Sequence, residues 1–239
     1  MTETDGIHVN AAVFASGSGS NFQALLDREG QGATWRTRLV ISDREGAGVL
    51  DRARAAGIPA RVVPVGGRLA EDVETEILAA LGDAGVGVIF LAGYLRLVPA
   101  GVVGAFPRRI LNVHPALLPA FGGKGMYGRH VHEAVLAASA RISGPTVHFV
   151  DERYDEGSIV AQWPVPVLPG DTPETLAARV LEAEHLLYPL AAEHVSRAVA
   201  AGRESGPLTI PGRAFSFVDS LGASALARAW GMIFRNPSG

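Results

Sequence analysis

The chain has 239 residues, 48% hydrophobic and 19% charged, with a formal net charge of −3. That length suits one α/β domain with a sizeable core, and the missing basic excess argues against a nucleic-acid surface. The absence of cysteine excludes disulfides, thiolate catalysis and Cys-based zinc sites together.

The leader, residues 1–8, lacks the basic and apolar regions of a signal peptide and reads as flexible. Val9 to Ala15 reads as a first strand, followed by Ser16-Gly17-Ser18-Gly19-Ser20-Asn21 and a helix through Leu26. Arg38–Ser42 is a second strand, and Ala47–Ala56 a helix. Ala60–Val65 is a third strand, and the helix from Leu69 to Ala84 carries Val73, Ile77, Leu78 and Leu81 at helical spacing. Val86–Gly93 is apolar throughout, hence a central strand. The apolar run from Ala84 to Leu95 ends at Arg96 after twelve residues, short of the roughly twenty that a membrane span needs. A soluble, cytoplasmic protein is expected.

Ile110 to Val113 reads as a short buried strand that Pro115 terminates. Ala120 to Tyr127 is a glycine-rich loop, Val131–Ala140 a helix, and Gly144–Asp151 and Ile159–Val167 two more strands, the second near an edge. Thr172 caps a long helix with Pro173 at its first position, running towards Ala200. Residues 9–205 therefore form the domain. Residues 206–239 form a tail in which Leu226, Trp230 and Phe234 line one face of a possible helix. Alternating strands and helices imply a mostly parallel sheet.

Three stretches carry chemistry. Asn112 and His114, two apart in extended chain, point to one side of the strand's C-terminal end, where open parallel sheets bind ligands. An amide donor beside an imidazole is what acyl transfer requires, one group holding a developing oxyanion and the other handling a proton. The plainer reading is a strand-end histidine bonded to a turn. Gly17-x-Gly19 invites a dinucleotide, with Asp43 placed for a ribose, but the third glycine position is Phe22. What remains is a helix N-terminus suited to a monophosphate, or a tight turn. The acidic loop Asp151 to Glu156 follows a strand on which Thr146 and His148 share a face. One of its carboxylates, Asp151 or Asp155, would favour the imidazolium of His114 and raise its pKa. His130 and His132 stand two apart on a helix, a spacing that does not pair metal ligands, so no metal is expected.

Together, Ser16 to Asn21, Leu91-Ala92-Gly93-Tyr94-Leu95-Arg96, Leu111-Asn112-Val113-His114-Pro115 with Leu117-Leu118-Pro119, His148-Phe149-Val150 leading to Asp155-Glu156-Gly157, and Glu184-His185-x-x-Tyr188-Pro189 resemble the folate-dependent phosphoribosylglycinamide formyltransferases of purine synthesis. The resemblance covers roughly residues 9 to 200 in unbroken order. It implies a Rossmann-like formyltransferase fold with helices on both faces of a mostly parallel twisted sheet and a long C-terminal helix.

It further implies 10-formyltetrahydrofolate as co-substrate and glycinamide ribonucleotide as acceptor, with neither NAD nor metal. Asn112, His114 and Asp155 match the family's catalytic trio, with Thr146 and His148 in support. Gly19, Ser20 and Asn21 match its phosphate loop, and Glu184 its ribose contact. Tyr94, Leu95, Arg96, Leu97, Val98, Val150 and Asp151 match its folate pocket, with Arg68 the nearest counterpart of a folate-binding arginine. No nucleic-acid or membrane partner is implied, and the oligomeric state stays open between monomer and homodimer. The Asn-x-His-Pro motif is shared with methionyl-tRNA formyltransferases and formyltetrahydrofolate hydrolases. The former carry an additional RNA-facing domain, the latter an N-terminal regulatory one. A non-catalytic phosphosugar-binding domain would explain the loop and the alternation, but not the trio.

Overall fold

The computed structural model describes residues 8–208. The helix expected in the tail lies outside them. Seven strands form one sheet in the order β3-β2-β1-β4-β5-β7-β8. These are β1 (Val9–Phe14), β2 (Trp35–Ser42), β3 (Ala60–Val62), β4 (Val88–Leu91), β5 (Ile110–His114), β7 (Thr146–Phe149) and β8 (Ile159–Gln162). The five from β3 to β5 run parallel, whereas β7 and β8 each pair antiparallel with the preceding neighbour.

Alternation along the strands divides the core. Ala11, Val13, Val40, Phe90 and Leu111 face one way, against Phe22 and Leu25 of α1 (Ser20–Gly30), Val49 of α2 (Gly48–Ala55) and Leu187 of α6 (Pro173–Ala200). Ala12, Phe14, Ile41, Ile89 and Ile110 face the other, against Val73, Ile77 and Leu81 of α3 (Ala70–Asp83) and Val102 of α4 (Ala100–Ala105). Each fully buried large apolar side chain contributes about 1.5–3 kcal/mol, and Phe22 is one of them. The ring that breaks the dinucleotide fingerprint is thus a helix–sheet packing element.

Central β4, the capped α6 and both faces of helices follow the sequence pattern. Thr172 accepts from the Thr175 backbone N–H and Pro173 opens the helix. Several boundaries differ, with β3 ending at Val62 and β7 confined to Thr146–Phe149. α1 continues to Gly30, and β2 starts at Trp35, whose indole is wholly buried. The expected strand Ile159–Val167 splits at Trp163-Pro164, because proline has no N–H to donate to a ladder. Its second part, β9 (Val165–Pro166), pairs instead with β6 (Ile142–Ser143). The remaining helix, α5 (Arg129–Ala137), packs on α6.

Among the described residues no helix is long and apolar enough to cross a membrane. β1 lies between β2 and β4, so connections diverge to either side of it. That is where ligands bind in doubly wound sheets. Tyr188 of α6 ties the two strands together, its buried hydroxyl lying 3.0 Å from the carbonyls of Leu91, at the end of β4, and Leu111, near the start of β5.

Candidate active site

A cavity of about 990 Å³ opens at the C-terminal ends of β4 and β5. Asn112, His114, His148 and Asp155 all line it. Asn112 lies opposite His148, and His114 opposite Thr146, in the β5–β7 register, so four polar side chains share one face. Thr146 does not line the cavity. Its hydroxyl donates to Ala116 O at 2.7 Å and accepts from Leu118 N at 3.0 Å, holding the chain that leaves β5.

Carbonyl oxygens only accept, and this fixes the protons on both imidazoles. His148 Nδ1 donates to Phe149 O at 2.8 Å, leaving Nε2 to accept from Asn112 Nδ2 at 3.0 Å. His114 Nε2 donates to Phe121 O at 2.8 Å, and its Nδ1 lies 3.5 Å from Asp155 Oδ2. Asp155 Oδ2 also accepts from the Gly123 N–H at 2.9 Å. The turn at 121–123 thus holds both partners of the His114–Asp155 contact. Phe121 and Asp155 have φ of 58°, left-handed geometry that a bulky residue adopts only under tertiary constraint. Gly157 closes the acidic loop where a Cβ would lie 1.7 Å from Phe149 O, so only glycine fits.

His114 differs from the sequence expectation. Its side chain is 3% exposed, and burial pushes its pKa below the ordinary value. Asp155 and the Phe121 carbonyl pull the other way without reversing the shift. The expected rise counted the carboxylate and omitted the desolvation of a charged imidazole. Burial also opposes ionisation of Asp155, but the His148 imidazole 3.5 Å away, the charge of His114 and the Gly123 N–H outweigh it and hold the carboxyl below its usual range.

At the other end of the cavity, Gly17 and Asn21 contribute, while Gly19 and Ser20 do not line it. Gly19 turns the chain into α1 with φ of 75°. Asn21 Nδ2 donates to Glu184 Oε2 at 2.6 Å, and Asn21 Oδ1 is buried without a partner. Burial raises the Glu184 pKa to about 7, against the opposing hydrogen bond from Asn21.

Tyr94, Leu95, Arg96, Leu97, Val98, Val150 and Asp151 all line the cavity. Arg96 is anchored by Asp43 at 2.8 Å, so the carboxylate considered for a ribose holds a cavity arginine instead. Arg68 is absent from the lining, ion-paired with Glu76 at 2.7 Å on α3. Lining residues that escaped the sequence reading include Lys124 and Arg129, and His132 figured in it only as a possible metal ligand. Lys124 is the only lysine of the chain, a signal visible in the composition. No group of three or more His, Cys, Asp or Glu among the described residues is placed to hold a metal ion.

A doubly wound sheet whose crevice joins an amide, an imidazole and a carboxylate defines a Rossmann-like group-transfer domain. Residues 9–192 match the formyl transferase family, and the chain belongs to that family. Its sequence is 50% identical over 180 residues to the chloroplastic phosphoribosylglycinamide formyltransferase of Arabidopsis thaliana, covering 74% of this chain and 62% of that protein. The crystal structure of glycinamide ribonucleotide transformylase 1 from Symbiobacterium toebii superimposes with a TM-score of 0.76 at 41% identity, over 89% of this chain and 95% of that one. Phosphoribosylglycinamide formyltransferase from Brucella melitensis gives 0.72 at 43% identity, over 83% and 100%.

Proposed function

We propose that this protein transfers the formyl group of 10-formyltetrahydrofolate to the amine of glycinamide ribonucleotide, with residues 9–205 as the transferase domain. The observation that carries this reading is the convergence of Asn112, His114 and Asp155 on the cavity that also holds Asn21 and Glu184. The relatives' names supply the acceptor. Cavity charge agrees with it, since Arg96, Arg129 and Arg153 are each ion-paired. Lys124 has no ion-pair partner among the described residues and is left for an anionic substrate.

In this reading the amine attacks the formyl carbon held on N10, giving a tetrahedral oxyanion. Asn112 donates one Nδ2 hydrogen to His148 and has a second for the oxyanion. His114 Nε2–H is a donor now spent on the Phe121 carbonyl, and the oxyanion competes for it. Asp155 orients the ring and favours its charged form as negative charge develops nearby. The carbon–N10 bond then breaks and N10 leaves with a proton. Asn21 and Glu184 hold the ribose phosphate end, and the segment Tyr94–Val98 with Val150 and Asp151 holds the pterin. A cytoplasmic location belongs to the same proposal, to be tested by cell fractionation.

Assaying formyl transfer from 10-formyltetrahydrofolate to glycinamide ribonucleotide, water and methionyl-tRNA in parallel tests the proposal. Transfer to the ribonucleotide alone supports it. Preferred hydrolysis or tRNA formylation rejects it, as does ribose phosphate binding without turnover.

A further inference from the structure

The glycine loop between β1 and α1 is gripped from one side by α2. The Val49 N–H donates to Gly17 O at 3.1 Å. Arg52, one turn further along, donates through Nε to Ser18 O at 2.8 Å and through Nη1 to Gln23 Oε1 of α1 at 3.0 Å. The approach is close: a Cβ on Gly48 would lie 3.3 Å from Ser18 Cα, and one on Gly19 would lie 3.0 Å from Val49 Cα. No residue of α2 lines the cavity, which meets the loop at Gly17 and Asn21.

A trans peptide is planar, and its N–H points opposite to its C=O. With the carbonyls of Gly17 and Ser18 held by α2, the N–H groups of Ser18 and Gly19 are turned away from that helix. Among the described residues no acceptor takes the backbone N–H of Ser18, Gly19, Ser20 or Asn21, and α1 has no side-chain cap. Beside them the Asn21 side chain, 8% exposed, lines the cavity with its Oδ1 unpartnered, so a ligand completes this end. We propose that Arg52 is the positioning residue of the loop: its Nε–H fixes the Ser18–Gly19 peptide, so that the Gly19 N–H joins those of Ser20 and Asn21 in holding the phosphate monoester of the substrate. This rests on the reading above that the ribose phosphate occupies this end of the cavity.

The peptide needs such a hold. Gly19 has φ of 75°, and glycine populates either sign of φ, so side-chain sterics at residue 19 do not stop this peptide from flipping. A flipped peptide would present the Ser18 carbonyl, and not the Gly19 N–H, to an anion. The charge of Arg52 is also uncommitted: Asp51 pairs with Arg54, Asp27 accepts from Gln23 Nε2, and Arg52 forms no ion pair among the described residues. Burial, and next the charge of Arg52, hold the His185 imidazole below its ordinary pKa, so the field of Arg52 reaches α6 beside Glu184.

Two variants test this. Arg52→Met removes every donor at similar length, whereas Arg52→Gln places an amide nitrogen as many bonds from Cα as Nε. By calorimetry, affinity for ribose 5-phosphate should fall about 10- to 100-fold in Arg52→Met and return to within about fivefold of wild type in Arg52→Gln. In turnover, KM for glycinamide ribonucleotide should rise by the same factor in Arg52→Met, with kcat and the KM for formyl-folate within about threefold. Unchanged phosphate affinity in Arg52→Met overturns the proposal. So does an equal loss towards formyl-folate, which marks general loosening, and so does a glutamine that restores nothing. Where Arg52→Met does not fold, NMR of the wild-type protein decides. The Arg52 Nε–H and Gly19 N–H resonances should shift together as ribose 5-phosphate is added; Gly19 shifting alone, or neither shifting, overturns the coupling. Wild type that binds ribose 5-phosphate through Arg52 but formylates no ribonucleotide rejects the functional reading alone, whereas active wild type with an unimpaired Arg52→Met rejects only this inference.

Discussion

Replacing Glu184 by glutamine should stabilise the protein above neutral pH while impairing it as an enzyme. The carboxyl is almost wholly buried, meets Asn21 at 2.6 Å, and has its pKa raised from 4.5 to about 7. A raised carboxylate pKa means that the folded state holds the proton more tightly than the unfolded chain. Stability from this group is therefore complete below pH 4.5, is lost as the pH climbs to about 7, and stays lost above it. The interval from 4.5 to about 7, at about 1.4 kcal/mol per pH unit, amounts to roughly 3 kcal/mol. Glutamine does not ionise, and its amide can donate to the Asn21 Oδ1 that now lacks a partner. Urea unfolding of both proteins from pH 4.5 to 8.5 isolates the effect, because every other titration cancels in the difference. Glu184→Gln should gain up to about 3 kcal/mol over wild type by pH 8 and little near pH 4.5, and its KM for the ribonucleotide should rise at least tenfold. A pH-independent difference, or a destabilised variant at pH 8, would refute the reasoning.

Two further substitutions probe the other end of the cavity. Asp155→Asn removes the charge that raises the His114 pKa against burial, so NMR should find that pKa lower than in wild type; an unchanged titration contradicts the contact. Gly157→Ala pushes a Cβ towards Phe149 O and must displace the acidic loop, so kcat should fall at least tenfold with a loss of about 1–3 kcal/mol in stability. Gly104→Ala in α4, where a Cβ meets nothing within 4 Å, should keep full activity, and equal effects of the two alanines would discredit the steric argument.

Much of this was legible in the sequence because the relevant signals are local. Apolar runs with the right period mark β1, β4 and β5, and Thr172-Pro173 marks the start of α6. Asn112 and His114 could be set on one face from strand geometry alone. What stayed hidden depends on elements distant in the chain. The split at Trp163-Pro164 reflects the partnership of β9 with β6. Arg68 is a local exception: it precedes α3 and turns to Glu76 within that helix. Desolvation of His114 comes from packing around it, which spacing does not reveal. His132 drew notice in the sequence only as a candidate metal ligand. Its place in the cavity lining comes from the packing of α5 on α6, a tertiary fact.

The most direct measurement is the single-turnover rate of formyl transfer by Asn112→Ala, together with its affinity for a non-transferable folate analogue. Loss of an oxyanion donor should slow transfer by about 10²–10³ while the affinity stays close to wild type. Transfer at a rate within a few-fold of wild type would contradict the assignment of the reaction to this end of β5.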